Sequence, residues 1–73
     1  MSDTFRKGQM VSWSWGNGTA TGKIIDRYER KVTRTIKGSE ITRNGGKDDP
    51  AYLIEQDDGD EVLKLSSELK PAA

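Results

Sequence analysis

Apolar and polar residues alternate along most of this chain with a period of two, the pattern of strands that bury one face. The clearest case is Tyr52-Leu53-Ile54-Glu55-Gln56 and Glu61-Val62-Leu63-Lys64-Leu65, set around Asp57-Asp58-Gly59-Asp60. Asp58-Gly59 is a two-residue turn signal, which places Asp57 opposite Asp60, Gln56 opposite Glu61, Ile54 opposite Leu63 and Tyr52 opposite Leu65. The apolar residues then share one face, as a hairpin that closes a small barrel requires.

Two further hairpins follow from the same reasoning. Residues 9–15 pair with 19–28 around Asn17-Gly18, so that Trp15 faces Ala20, Trp13 faces Gly22 and Val11 faces Ile24. Large rings over small partners make sound cross-strand pairs. Residues 31–43 are rich in β-branched side chains around Gly38-Ser39 and predict a projecting β-arm. Its register sets Lys37 against Glu40, Ile36 against Ile41, Thr35 against Thr42 and Arg34 against Arg43. Ser66-Ser67-Glu68-Leu69 reads as a single helical turn with a serine cap, with Leu69 plugging one end of the barrel and Lys70 starting a very short last strand. No window holds a helical period, and there is no internal repeat. The reading is all-β: a flexible tail over residues 1–6, one domain over 7–70 and a tail over 71–73.

Seventy-three residues make one small domain, which buries about 60% of its unfolded surface and leaves little room for a deep catalytic cleft. Cysteine and histidine are both absent, which removes thiolate and imidazole chemistry, zinc sites and Ser-His or Cys-His machinery. No cofactor is implied. The acids of the Asp57–Glu61 stretch do not follow the spacing of a calcium loop and read as a plain turn. The chain is not expected to be an enzyme. It has no apolar run near the roughly 20 residues that span a bilayer, and no leader-like start, so the expectation is a cytoplasmic protein with no membrane partner.

Net charge is zero, but the charges are segregated. Residues 27–47 hold seven bases, Arg27, Arg30, Lys31, Arg34, Lys37, Arg43 and Lys47, against Glu29 and Glu40, a net +5. Residues 48–61 hold seven acids and no base, a net −7. A neutral chain of this kind offers both an anion-attracting and a cation-attracting surface. Arg34, Lys37 and Arg43 on the arm are candidate contacts to an anionic partner, nucleic acid above all, because a cationic β-ribbon can lie along a phosphate backbone. A solvated edge guarded by Lys and Arg accounts for the same residues without a ligand. Trp15, beside the turn at the barrel mouth, is a candidate stacking platform, while Trp13 alternates with Val11 into the core. The alternative partner is a protein or peptide, or a second copy held weakly by the basic arm against the acidic turn.

Three stretches carry a resemblance to a known family: Lys7-Gly8-Gln9-Met10-Val11-Ser12-Trp13, the arm Thr33-Arg34-Thr35-Ile36-Lys37-Gly38-Ser39-Glu40-Ile41-Thr42-Arg43-Asn44-Gly45, and Asp48-Asp49-Pro50-Ala51-Tyr52-Leu53-Ile54-Glu55-Gln56-Asp57-Asp58-Gly59-Asp60. They are similar to the hypervirulence-associated Tudor-like family. The resemblance implies a small SH3-like, Tudor-like barrel of about five strands, here with an extended basic β-hairpin arm. Tudor domains in the broader sense hold methylated lysine or arginine in an aromatic cage. Gln56 stands before the Asp-Asp-Gly turn where an aromatic is usual, so part of such a cage is missing.

Overall fold

The computed structural model describes residues 5–72. Strands β1 (Met10–Trp15), β2 (Gly18–Tyr28), β3 (Lys31–Ile36), β4 (Ser39–Asn44), β5 (Ala51–Gln56) and β6 (Glu61–Leu65) are followed by a 3-10 turn over Ser66–Glu68 and a two-residue strand β7 (Lys70–Pro71). Five of the strands form one antiparallel sheet in the order β6-β5-β2-β1-β7, and β3-β4 form a separate hairpin, an arrangement compatible with a small Tudor-like barrel.

The sheet is coiled so that Val11, Trp13, Ile24, Tyr52, Ile54 and Leu69 form the barrel core, all of them buried. Leu69 thus closes the core as its position after the helical turn implies. The turn itself starts differently from the serine cap expected: Leu65 is the N-cap residue, and the Glu68 carboxylate accepts the Leu65 N–H at 2.8 Å. Phe5, assigned by the sequence to the N-terminal tail, packs on this core. The Tyr52 hydroxyl accepts the Phe5 N–H at 2.7 Å and donates to the Phe5 carbonyl at 3.1 Å, while the two rings meet edge to face at 5.7 Å. A fully buried tyrosine thereby keeps both of its hydrogen-bonding roles.

All three hairpins take registers other than those the turn signals suggest. In the first, Gly16 supplies the positive φ at +46°, so the turn is Gly16-Asn17, and Trp15 pairs with Gly18, Trp13 with Ala20 and Val11 with Gly22. In the arm, Lys37 (φ +51°) and Gly38 (φ +78°) take the two left-handed positions of a type I′ turn. Ile36 then pairs with Ser39, Thr33 with Thr42, Arg34 with Ile41 and Val32 with Arg43. The Thr33 and Thr42 hydroxyls share a hydrogen bond at 2.9 Å. Both shifts are by two residues, so every side chain keeps its predicted face.

The third shift changes the architecture. Gln56 N–H donates to Asp60 O at 2.7 Å and Gly59 N–H to Gln56 O at 2.9 Å, with Gly59 at φ +89°. That is a three-residue loop ending in a left-handed glycine, and it moves the register by one, so that Ile54 pairs with Val62, Leu53 with Leu63 and Tyr52 with Lys64. Strand β5 is consequently buried on both faces. Tyr52 and Ile54 point into the barrel, while Ala51 and Leu53 join Leu63 in a second cluster.

What covers that second face is the arm. Instead of projecting, it folds back so that Val32, Ile36 and Ile41 pack on the second cluster, together with Ile25, Tyr28 and Leu65. A bulge in β2 between Ile24 and Asp26 serves both layers: Ile24 belongs to the barrel core and Ile25 to the second cluster. The root of the arm is held by close backbone approach, because a Cβ on Gly45 would stand 2.6–2.9 Å from Tyr28 O, Arg30 O and Ala51 N.

Candidate functional site

Docking of the arm decides what its cations can do. The left-handed turn brings Lys37 to the acidic loop, where its ammonium sits 2.6 Å from Asp60. This contact holds the Asp60 carboxyl below the ordinary carboxylate range and the Lys37 ammonium above its usual value. Arg43 is half-buried and donates through Nε to Glu68 at 3.1 Å, and Lys64 reaches the same carboxylate at 3.9 Å. Arg27 pairs with Glu29 at 2.7 Å. One pair, Lys37 with Asp60, therefore joins the basic and acidic segments within the molecule, while Arg27 and Arg43 are neutralised by acids outside residues 48–61.

Of the seven bases between residues 27 and 47, Arg30, Lys31, Arg34 and Lys47 remain, all exposed and in no ion pair among the described residues. Two of them, Arg30 and Arg34, lie beside Tyr28. The Arg30 guanidinium lies 5.3 Å from the ring centroid, and Arg34 lies near enough to act electrostatically on the same phenol. Burial, with the hydrogen bond that Tyr28 donates to Asp26 at 3.1 Å, still pushes the phenol pKa up, so the group stays neutral beside its cations.

The four predicted contacts are thus dispersed. Arg34 stands on β3 opposite Ile41, and Lys37 and Arg43 lie along one groove, each with an internal acid. Trp15 is 60% exposed, its ring over Gly18 at the end of the first hairpin, outside that groove. Tyr52 is fully buried and makes no cage with it. Sequence reasoning did not single out Tyr28 and Arg30 beside Arg34, although Arg30 is visible in the charge run. Glu68 was missed as well, and its spacing of four from Lys64 was the one local signal for it.

The groove runs between the arm and β6, with a volume of about 350 Å³. Ile36, Ile41, Val62 and Leu63 line it together with Lys37, Arg43 and Lys64. Among the described residues no group of three or more acids is placed to hold a metal ion, and no helix is long and apolar enough to cross a membrane.

No curated protein and no solved structure shows a match to the chain. Residues 8–69 match the family described as the hypervirulence associated proteins TUDOR domain, a span that takes in the barrel core, the docked arm and the acidic turn. With most of its length covered by that match and the all-β architecture in place, the chain belongs to the hypervirulence-associated Tudor-like family.

Proposed function

We propose that this protein is a non-enzymatic binding module that takes an anionic partner, nucleic acid, on its basic arm beside Tyr28. Tudor-like domains are typically non-catalytic binding modules, and Tudor domains in general bind proteins or nucleic acids. The observation that carries the reading is the charge left over after internal pairing: Arg30, Lys31 and Arg34 stay exposed and in no ion pair among the described residues, with Arg30 and Arg34 beside the half-buried Tyr28. Unpaired cations on a β-ribbon suit a phosphate backbone, and counterion release drives such binding. Arg34 keeps the role read from the sequence. Lys37 and Arg43 join only by exchanging Asp60 and Glu68 for phosphate. Trp15, with its ring open to solvent, is the stacking contact of this reading. A cytoplasmic setting, where nucleic acid is at hand, suits a chain free of cysteine.

The test is an amide NMR titration with a short single-stranded and a short duplex oligonucleotide, at low and near-physiological salt. Shifts are expected over Tyr28–Arg34 and at Trp15, shrinking as salt rises. Replacing Lys31 and Arg34 together by alanine removes two phosphate contacts, which lowers the salt slope for single strands by about 1.4. An unchanged slope, or shifts at other segments, sinks the proposal. The alternative, a second copy held by complementary hairpins, predicts salt-sensitive shifts at Lys37 and Asp60 on dilution, with no oligonucleotide present.

A further inference from the structure

The two acids nearest Arg30 in the chain are already committed. Glu29 pairs with Arg27 at 2.7 Å, and the Asp26 carboxylate accepts the Arg27 N–H on one oxygen at 3.0 Å and the Tyr28 hydroxyl on the other at 3.1 Å. The Arg30 guanidinium is in no ion pair among the described residues, and it lies over the Tyr28 ring, 5.3 Å from the centroid and within cation–π range. Its backbone is held by close packing, because a Cβ on Gly45 would stand 2.8 Å from the Arg30 carbonyl oxygen. Glu29 and Arg30 form the bend between β2 and β3 and are both exposed, so the ring supports one side of the guanidinium and leaves the other to solvent.

We propose that the Arg30 guanidinium, backed by Tyr28, is a stacking site for an unpaired nucleobase, so that the arm takes single-stranded nucleic acid; this rests on the nucleic-acid reading above and adds its strand state. A guanidinium is planar and weakly hydrated, and held on a ring it offers a flat face as well as a charge. Splayed bases of single strands stack on such faces, whereas the bases of a duplex are already paired and stacked on one another. Arg34, close enough to act electrostatically on the Tyr28 phenol, is the cation beside that face for an adjoining phosphate. Trp15 is a separate contact, since its ring lies over Gly18 at the other end of the 11-residue strand β2 from Tyr28. A lysine in place of Arg30 would keep the charge and lose the plane.

The experiment is fluorescence anisotropy of the intact protein with a labelled, unstructured mixed-sequence strand of about ten nucleotides, and with an abasic strand of the same length and charge. The strand with bases is expected to bind at least about fivefold more tightly than the abasic one, the contribution of one stacked base. In Arg30→Lys that ratio falls by about fivefold. The native protein gives a second readout that needs no variant: the Arg30 Nε–H resonance moves upfield under the ring current of the base, and does not do so with the abasic strand. The same strand annealed to its complement binds less tightly than the single strand near physiological salt. Equal, salt-sensitive binding of the two single strands overturns the stacking site and leaves the phosphate reading standing, whereas no binding of either at low salt removes both. A ratio that survives Arg30→Lys, or an Arg30 resonance that ignores the bases, places the stacked base elsewhere and overturns the proposal, as does a duplex that binds as tightly as its single strand.

Discussion

Shortening Leu53 to alanine separates a docked arm from a projecting one. Leu53 is 3% exposed, on the face of β5 that looks away from the barrel core, in a cluster that Val32, Ile36 and Ile41 of the arm cover together with Ile25, Tyr28 and Leu65. Leu53→Ala removes three buried hydrocarbon groups, about 2.4 kcal/mol at roughly 0.8 kcal/mol each, and a site sealed by Leu63, Ile36 and Ile41 leaves a cavity that raises the loss to about 3–4 kcal/mol. A domain of this length has roughly 4–11 kcal/mol in total, so the variant sits near the threshold of folding. Thermal unfolding followed by circular dichroism reads the change as a fall in midpoint of about 12–32 °C. Exchange of the arm amides should accelerate with it. If the arm projected into solvent, Leu53 would be a surface residue and its truncation worth within about 0.5 kcal/mol. A fall of less than about 4 °C therefore refutes the docked arrangement.

Tyr52→Phe removes both hydrogen bonds to Phe5 and should lower stability by about 1–2 kcal/mol, with the Phe5 amide losing its protection from exchange; a silent substitution denies that the residue 5 segment is pinned. The Lys37–Asp60 contact is expected to respond to pH at both ends. Asp60 is depressed in the folded state, so its contribution is present above the ordinary aspartate pKa and is lost as pH falls through the lower folded value. Lys37 is raised, so its contribution is present below the ordinary lysine pKa and is lost as pH rises through the folded one. A carboxyl carbon NMR titration in which Asp60 changes at an ordinary aspartate value, unaffected by Lys37→Met, contradicts the ion pair.

Much of the barrel is legible in the sequence because a period of two survives errors of two. Gly16-Asn17-Gly18 contains overlapping turn signals, as does Lys37-Gly38-Ser39, and picking the wrong one leaves Val11, Trp13, Val32 and Ile36 on their proper faces. Asp57-Asp58-Gly59 is less forgiving. A two-residue loop and a three-residue loop ending at Gly59 fit the same letters, and the choice between them decides whether Leu53 or Ile54 shares a face with Leu63. The docking of the arm had a signal too, in Val32, Ile36 and Ile41 alternating with threonines, but the cations between them read equally well as a solvated ribbon. Least legible was the pairing of Arg43 with Glu68 and of Lys37 with Asp60, since only the tertiary fold brings those side chains together.

Strand β5 is a wall shared by two rooms, with Tyr52 and Ile54 in one and Ala51 and Leu53 in the other. Lifting the arm wets Leu53 and Leu63, and opening the barrel loosens the strand on which the arm rests. Neither half offers a separate unfolding unit, so opening of the arm and opening of the barrel should fall in a single cooperative step. Such coupling keeps an apolar strand with two hydrophobic faces from being displayed in part to other chains, the circumstance in which small β proteins aggregate.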